Sequence, residues 1–223
     1  GKPKFNFNTT LSAGVLGDKI DVLTGDELRD LIAKQGTADY RNMLGSANTD
    51  WQDEIFQTAI GFDNNLSVSG SLAKKLPYRF SIGYLNQEGV LKVNPDKWDR
   101  YNINFGINSS VTDWFDARAK AILSRTEKTR PYYFSSETYD PWYYVYRWQK
   151  IFPYGTYEGK PFRNAITDVQ QAKMSKYQDN LTRIAVGGTL KILPDLTVDA
   201  DFTYARNSEN VHHTGGHASG CDL

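Results

Sequence analysis

The stretch Phe115-Asp-Ala-Arg-Ala-Lys-Ala-Ile-Leu-Ser-Arg-Thr126 decides how the rest of the chain is read. On an extended backbone Phe115, Ala117, Ala119, Ala121 and Leu123 share one face. Asp116, Arg118, Lys120, Ser124 and Thr126 share the other, and Ile122 alone breaks the pattern. Alternation with period two is the mark of a strand with one apolar and one polar side. A slip of one residue would carry Arg118 and Lys120 to the apolar side, at roughly 2–4 kcal/mol each if that side is lipid. The register is therefore strongly specified.

The same alternation recurs on both sides of this stretch. Lys4 to Ala13 sets Phe5, Phe7, Thr9 and Leu11 against Asn6, Asn8, Thr10 and Ser12. Asn65 to Leu72 sets Leu66, Val68, Gly70 and Leu72 against three serines, and Pro77 to Asn86 sets Tyr78, Phe80, Ile82 and Tyr84 against Arg79, Ser81 and Gly83. Tyr101 to Asn108 is the cleanest, with Tyr101, Ile103, Phe105 and Ile107 opposite Asn102, Asn104, Gly106 and Asn108. Asn180 to Ile192 and Leu196 to Ala205 complete the set, the last placing Val198, Ala200, Phe202 and Tyr204 against Asp199, Asp201 and Thr203.

The connections alternate as well. Ala73 to Leu76, Ser109 to Trp114 and Leu193-Pro194-Asp195 are short, whereas Gly14 to Asn64, Gln87 to Arg100, Glu127 to Asp179 and the residues after Arg206 are long. An outer-membrane barrel sorts its connections this way, with short periplasmic turns and long outer loops. The expected fold is all-β, a transmembrane antiparallel up-and-down barrel segment with short helices in its outer loops. Helix signals stand at Thr24-Gly-Asp-Glu27 and Thr49-Asp-Trp-Gln52, both capping boxes, at Asp140-Pro141 before Trp142 to Trp148, and at Thr167 to Gln170.

Composition narrows the function classes. Lys and Arg number 26 against 26 Asp and Glu, which removes the basic footprint of a general nucleic-acid binder. Mean hydropathy is -0.57 and no stretch is apolar for the ~18 residues of a membrane helix, which leaves a β-barrel open. Cys221 is the single cysteine, so no internal disulfide forms. No secretory signal precedes Lys2, and the sequence reads as mature, cropped or cytoplasmic. His212, His213, His217 and Cys221 fit no standard zinc spacing, so no metal or other cofactor is expected. Without a G-x-S-x-G, an H-E-x-x-H or a phosphate loop, an enzyme is not expected either.

Several stretches resemble one family. Thr49-Asp-Trp-Gln-Asp-Glu-Ile-Phe-Gln-Thr58, Asn65-Leu-Ser-Val-Ser-Gly70 and Tyr78-Arg-Phe-Ser-Ile-Gly-Tyr-Leu-Asn-Gln-Glu-Gly-Val-Leu-Lys92 resemble the start of the barrel in SusC/RagA-type TonB-dependent transporters of Bacteroidetes. Trp114 after a short turn, Ser124-Arg-Thr126 at a strand end and Leu193-Pro-Asp-Leu196 before a strand add to the ordered set. The resemblance implies a barrel of about 22 strands plugged by an N-terminal domain. It also implies a SusD-like surface lipoprotein as lid, energy from the TonB complex, and import of oligosaccharides or peptides. This sequence carries no plug, no TonB box and no second half of the barrel. Residues 1–223 are thus expected to be the N-terminal part of the barrel, a piece of a longer protein whose TonB contact lies in the absent part.

Two groups of residues are candidates for the site. Tyr133, Trp142, Tyr143, Tyr144, Tyr146, Trp148 and Tyr154 crowd the third long connection with further aromatics. Aromatic faces with polar edges suit sugar rings or a lid protein, and the blander role is packing among the loops. Arg118, Lys120, Asp199 and Asp201 face the expected lumen, where they guide a polar substrate or simply pair with a plug or with each other. A rival of another class is a soluble or surface β-rich carbohydrate-binding module, with the apolar row as its core; a passive porin or adhesin would share the same wall.

Overall fold

The computed structural model describes residues 2–35, 46–72, 76–131, 145–146, 148–153, 156–157, 160–161, 166, 170 and 174–212. Its main feature is one antiparallel sheet. In chain order the strands are β1 (Lys4–Gly14), β2 (Ala59–Leu72), β3 (Leu76–Glu88), β4 (Lys97–Thr112), β5 (Phe115–Pro131), β8 (Met174–Leu193) and β9 (Leu196–His212). Each pairs with its neighbour in sequence, giving the order β1-β2-β3-β4-β5-β8-β9. The two-residue strands β6 (Thr156–Tyr157) and β7 (Lys160–Pro161) form a separate small hairpin. Helix α1 (Gly25–Gln35) and the single-turn α2 (Trp51–Ile55) lie between β1 and β2.

The register across the sheet is the one the apolar pattern demands. Val68 stands opposite Phe80, Phe80 opposite Phe105, Phe105 opposite Ala121, Ala121 opposite Ile184 and Ile184 opposite Tyr204. Cross-strand pairs of this kind are the unit of sheet stability. No layer covers this face among the described residues: Phe7 is 64% exposed and Phe202 68%. An apolar face of this extent needs a hydrophobic neighbour, and lipid supplies it for a barrel wall. A soluble module would need a second layer over this row, and none lies on it among the described residues.

The outward apolar run extends from Leu76 to Tyr84 on β3 and from Tyr101 to Val111 on β4. At about 3.4 Å per residue and a tilt of about 40°, these runs rise about 21 and 26 Å, close to the ~25 Å band of an outer-membrane barrel. Tyr84 stacks on Tyr101 at the loop-side border, with ring centroids 4.9 Å apart, and exposed Trp114 sits in the β4–β5 turn at the opposite border. Beyond the loop-side border the outward residues turn charged, as with Asp99, Arg125, Glu127 and Arg206.

The strands are longer than the alternating segments predict. β2 begins at Ala59 rather than Asn65, β5 continues to Pro131, β8 begins at Met174 and β9 continues to His212. Above the lipid both faces meet water, so no solvent forces the period-two signal there, and the backbone ladder alone carries the strand onward. The long connections contract to 15–58, 89–96 and 132–173, and the short ones to 73–75, Asp113-Trp114 and Pro194-Asp195.

Both helix signals between β1 and β2 mark helices, with one change of cap. The Thr24 amide and hydroxyl donate to Glu27 Oε2 at 2.9 and 2.8 Å, and the Glu27 amide donates back to Thr24 Oγ1 at 3.2 Å. At α2 the cap is Asp50 rather than Thr49: Asp50 accepts from the amides of Gln52 and Asp53. The Thr49 hydroxyl instead donates to the Phe152 carbonyl at 2.9 Å. α2 also stops at Ile55, before Thr58, because the next residues enter an extended ladder with the β3–β4 connection, where Phe56 bridges Leu91. The helix start at Asp140-Pro141 and the box at Thr167 lie outside the described residues, apart from Gln170.

Candidate functional site

The loop end of the sheet holds a small core of its own. Trp51 and Ile55 of α2, Leu91 from the β3–β4 connection, and Val145 and Ile166 from the β5–β8 connection bury one another. Hydrogen bonds fix the assembly. The Thr49 amide donates to the Lys150 carbonyl at 2.8 Å, the Trp51 indole to the Gln149 carbonyl at 3.0 Å, and the Lys92 amide to the Ile55 carbonyl at 2.8 Å. Gln52 grips the Ile20 backbone from both ends of its amide, accepting at 2.9 Å and donating at 2.7 Å. Three long connections are thereby tied into one cap over the loop end.

Of the aromatic candidates, Tyr146 and Trp148 lie against this core, and Trp148 meets Phe152 edge-to-face at 5.7 Å. Tyr133, Trp142, Tyr143, Tyr144 and Tyr154 lie outside the described residues, as do His213, His217 and Cys221. Among the described residues no group of His, Cys, Asp and Glu is placed to hold a metal.

On the polar face, Arg118, Asp199 and Asp201 meet across three strands. Arg118 donates from Nε to Asp201 Oδ1 at 2.8 Å and from Nη2 to Asp201 Oδ2 at 2.6 Å, a fork-on-fork pair. Its Nη1 reaches Thr189 Oγ1 at 3.0 Å and Asp199 at 3.4 Å. Gly187 stands between Arg118 and Asp201 in the ladder, and a Cβ there would overlap the Asp201 carboxylate. The bare backbone is what lets the arginine of β5 cross β8 to reach β9. Lys120 lies apart from the cluster, in the row from Arg79 through Gly106, and lines with Arg79, Asn104 and Arg118 a concavity of about 720 Å3.

Further along the same face, toward the loops, Trp98, Lys128 and Tyr177 stand side by side on β4, β5 and β8. Arg100 Cζ lies 5.9 Å and Lys128 Nζ 5.8 Å from the Trp98 ring centroid. Arg130 lies 4.5 Å from the Tyr177 ring and donates to its hydroxyl at 2.9 Å. Sequence reasoning missed this group because it gave Gln87 to Arg100 and Glu127 to Asp179 to loops. A usable signal was the pair of same-face spacings, Trp98 with Arg100 and Lys128 with Arg130.

Comparison with known proteins adds sequence likeness to this geometry. The chain is 39% identical over 92 residues to the TonB-dependent receptor SusC of Bacteroides thetaiotaomicron, a match covering 41% of this chain and 9% of that protein. It is 31% identical over 128 residues to the TonB-dependent receptor P3 of Formosa agariphila, covering 57% of this chain and 12% of that one. The chain is similar to a part of these receptors. No protein-family model matches it. A solved structure described as the RagAB peptide transporter superposes with a TM-score of 0.71 at 17% identity, over 93% of this segment and 28% of that chain. The open-open state of the RagAB peptide importer gives 0.67 at 18% identity, over 94% and 28%. These likenesses establish the shared barrel-wall fold. The matches span about a tenth of the curated relatives and under a third of the solved chains.

Proposed function

We propose that residues 1–223 form the N-terminal part of the barrel of an outer-membrane, TonB-dependent importer that takes up oligosaccharides with a SusD-like surface lipoprotein. The observation that carries this reading is the two-faced sheet: an uncovered apolar side of membrane height and a polar side lined by Arg118, Lys120, Asp199 and Asp201. Likeness to TonB-dependent receptors supports the energy source, and those relatives are named as receptors rather than enzymes. In this reading the capped loop end faces outward. Tyr133, Trp142, Tyr143, Tyr144 and Tyr154, with Tyr146 and Trp148 anchored on the loop core, meet the substrate or the lid.

Peptide import is the second reading, favoured by the RagAB structures that share the fold. Uptake in cells separates the two. A strain lacking the full-length gene is expected to lose growth on an oligosaccharide as sole carbon source while still growing on peptides. The opposite pattern supports the peptide reading, and unchanged growth on both removes the importer role.

A further inference from the structure

We propose that the inner rim formed by Trp98, Arg100, Lys128, Arg130 and Tyr177 binds an anionic saccharide, one that carries sulfate or uronate groups. The proposal rests on the import reading and adds the chemistry of the ligand. Register puts all five side chains on the polar face, above the level where the outward apolar run ends at Tyr84, Tyr101 and Leu123. They therefore stand in water at the mouth of the wall, on the side toward the loops.

Three cations gather there without a carboxylate in contact among the described residues. Other cations of the sheet are paired: Arg118 with Asp199 and Asp201, Arg125 with Glu127, Lys191 with Asp116 and Lys97 with Glu88. Among the described residues no carboxylate lies within 4.0 Å of Arg100, Lys128 or Arg130; Asp179 and Glu209 follow Thr126 in the row from Arg100 and stay out of ion-pair reach. Arg100 Nε is buried without a hydrogen-bond partner, a costly state for a charged donor.

Ring and charge alternate across the patch. The Trp98 ring, with the residue 37% exposed, offers a face to a sugar, and the guanidinium and ammonium groups around it sit where sulfate or carboxylate substituents project. A neutral glycan would use the rings and leave the three charges idle. An acidic peptide would use the charges without the flat C–H faces that stack on indole.

The test uses the full-length receptor, purified from outer membranes with its lipoprotein partner, and calorimetric titration. The probes are a sulfated isomaltohexaose, hexagalacturonate, unmodified isomaltohexaose and hexaglutamate. The proposal expects at least one charged saccharide to bind about tenfold more tightly than the neutral one, the preference shrinking with added salt. It expects Arg100→Gln/Lys128→Gln/Arg130→Gln to abolish that preference, and Trp98→Ala to weaken the saccharides more than hexaglutamate. Heat-dependent gel mobility checks that each variant is folded, and Trp98→Phe serves where the alanine variant is not. Equal or absent binding of the charged saccharides, tighter binding of hexaglutamate, or a triple variant that keeps the preference overturns the proposal. Uptake by cells with and without a functional TonB box is measured in parallel: TonB-dependent uptake with no anion preference sinks the patch alone, and uptake indifferent to the TonB box sinks the import reading.

Discussion

Gly187 shows how one side chain's absence can organise three strands. Its neighbours in the ladder, Arg118 and Asp201, form a bidentate pair directly across it. Gly187→Val should break that pair and lower the temperature at which the full-length barrel loses its compact gel mobility. Gly106→Ala is the matched control: a Cβ there meets nothing within 4 Å, so the same assay should show no loss, and a small gain follows from the reduced freedom of the unfolded chain. Equal losses in the two variants would mean that any glycine replacement in a strand is harmful and that the Arg118 crossing is incidental. The alternation made Arg118 and Asp201 legible as residues of the polar face, because period two needs only the local sequence. Their meeting was not legible, since it depends on the pairing of β5, β8 and β9.

At the scale of elements, the loop cap can be taken apart from the wall. Trp51 is only 2% exposed and joins all three long connections. Trp51→Ala should cost about 3–5 kcal/mol of local stability and open 15–58 to limited proteolysis, while the strands stay protected. Cleavage no faster than in the parent would show that the cap does not depend on this core. α1 carries a pH dependence. The Thr24 amide, and then its hydroxyl, hold the Glu27 carboxyl below its ordinary 4.5 by bonding to the charged form. A depressed folded value means that the stabilisation is complete above the unfolded value and is lost as pH falls through the folded one. Hydrogen exchange at the Leu28 amide should therefore gain protection as pH rises from acid through about 4.5, beyond the intrinsic rate change, and Glu27→Gln should flatten that response. The Thr24 box was readable because a capping box is a local signature. The shift of the second cap to Asp50 was not, because Thr49 is recruited by Phe152, a partner distant in the chain.

For the whole molecule, the lipid assignment makes a prediction about neighbouring residues. In a Cys221→Ser background of the full-length protein, Arg118→Cys in intact outer membranes should react with a water-soluble maleimide and Ala119→Cys should not, since register puts them on opposite faces. Similar labelling of both would remove the membrane wall. The sheet's outer strands, β1 and β9, have one free edge each among the described residues, and open edges in lipid leave backbone groups unsatisfied at several kcal/mol each. Closure thus requires more strands than these seven. The sequence by itself determined which face each alternating residue takes and the order of short and long connections. The facing follows from a solvent that differs on the two sides of the wall, and the connection lengths from the difference between its two ends. Only the tertiary structure decided how far the strands run above the lipid and which loops share a core. It also decided that Trp98, Arg100, Lys128, Arg130 and Tyr177 form one patch. In water on both faces no periodicity survives, and contacts between residues remote in sequence leave no local trace.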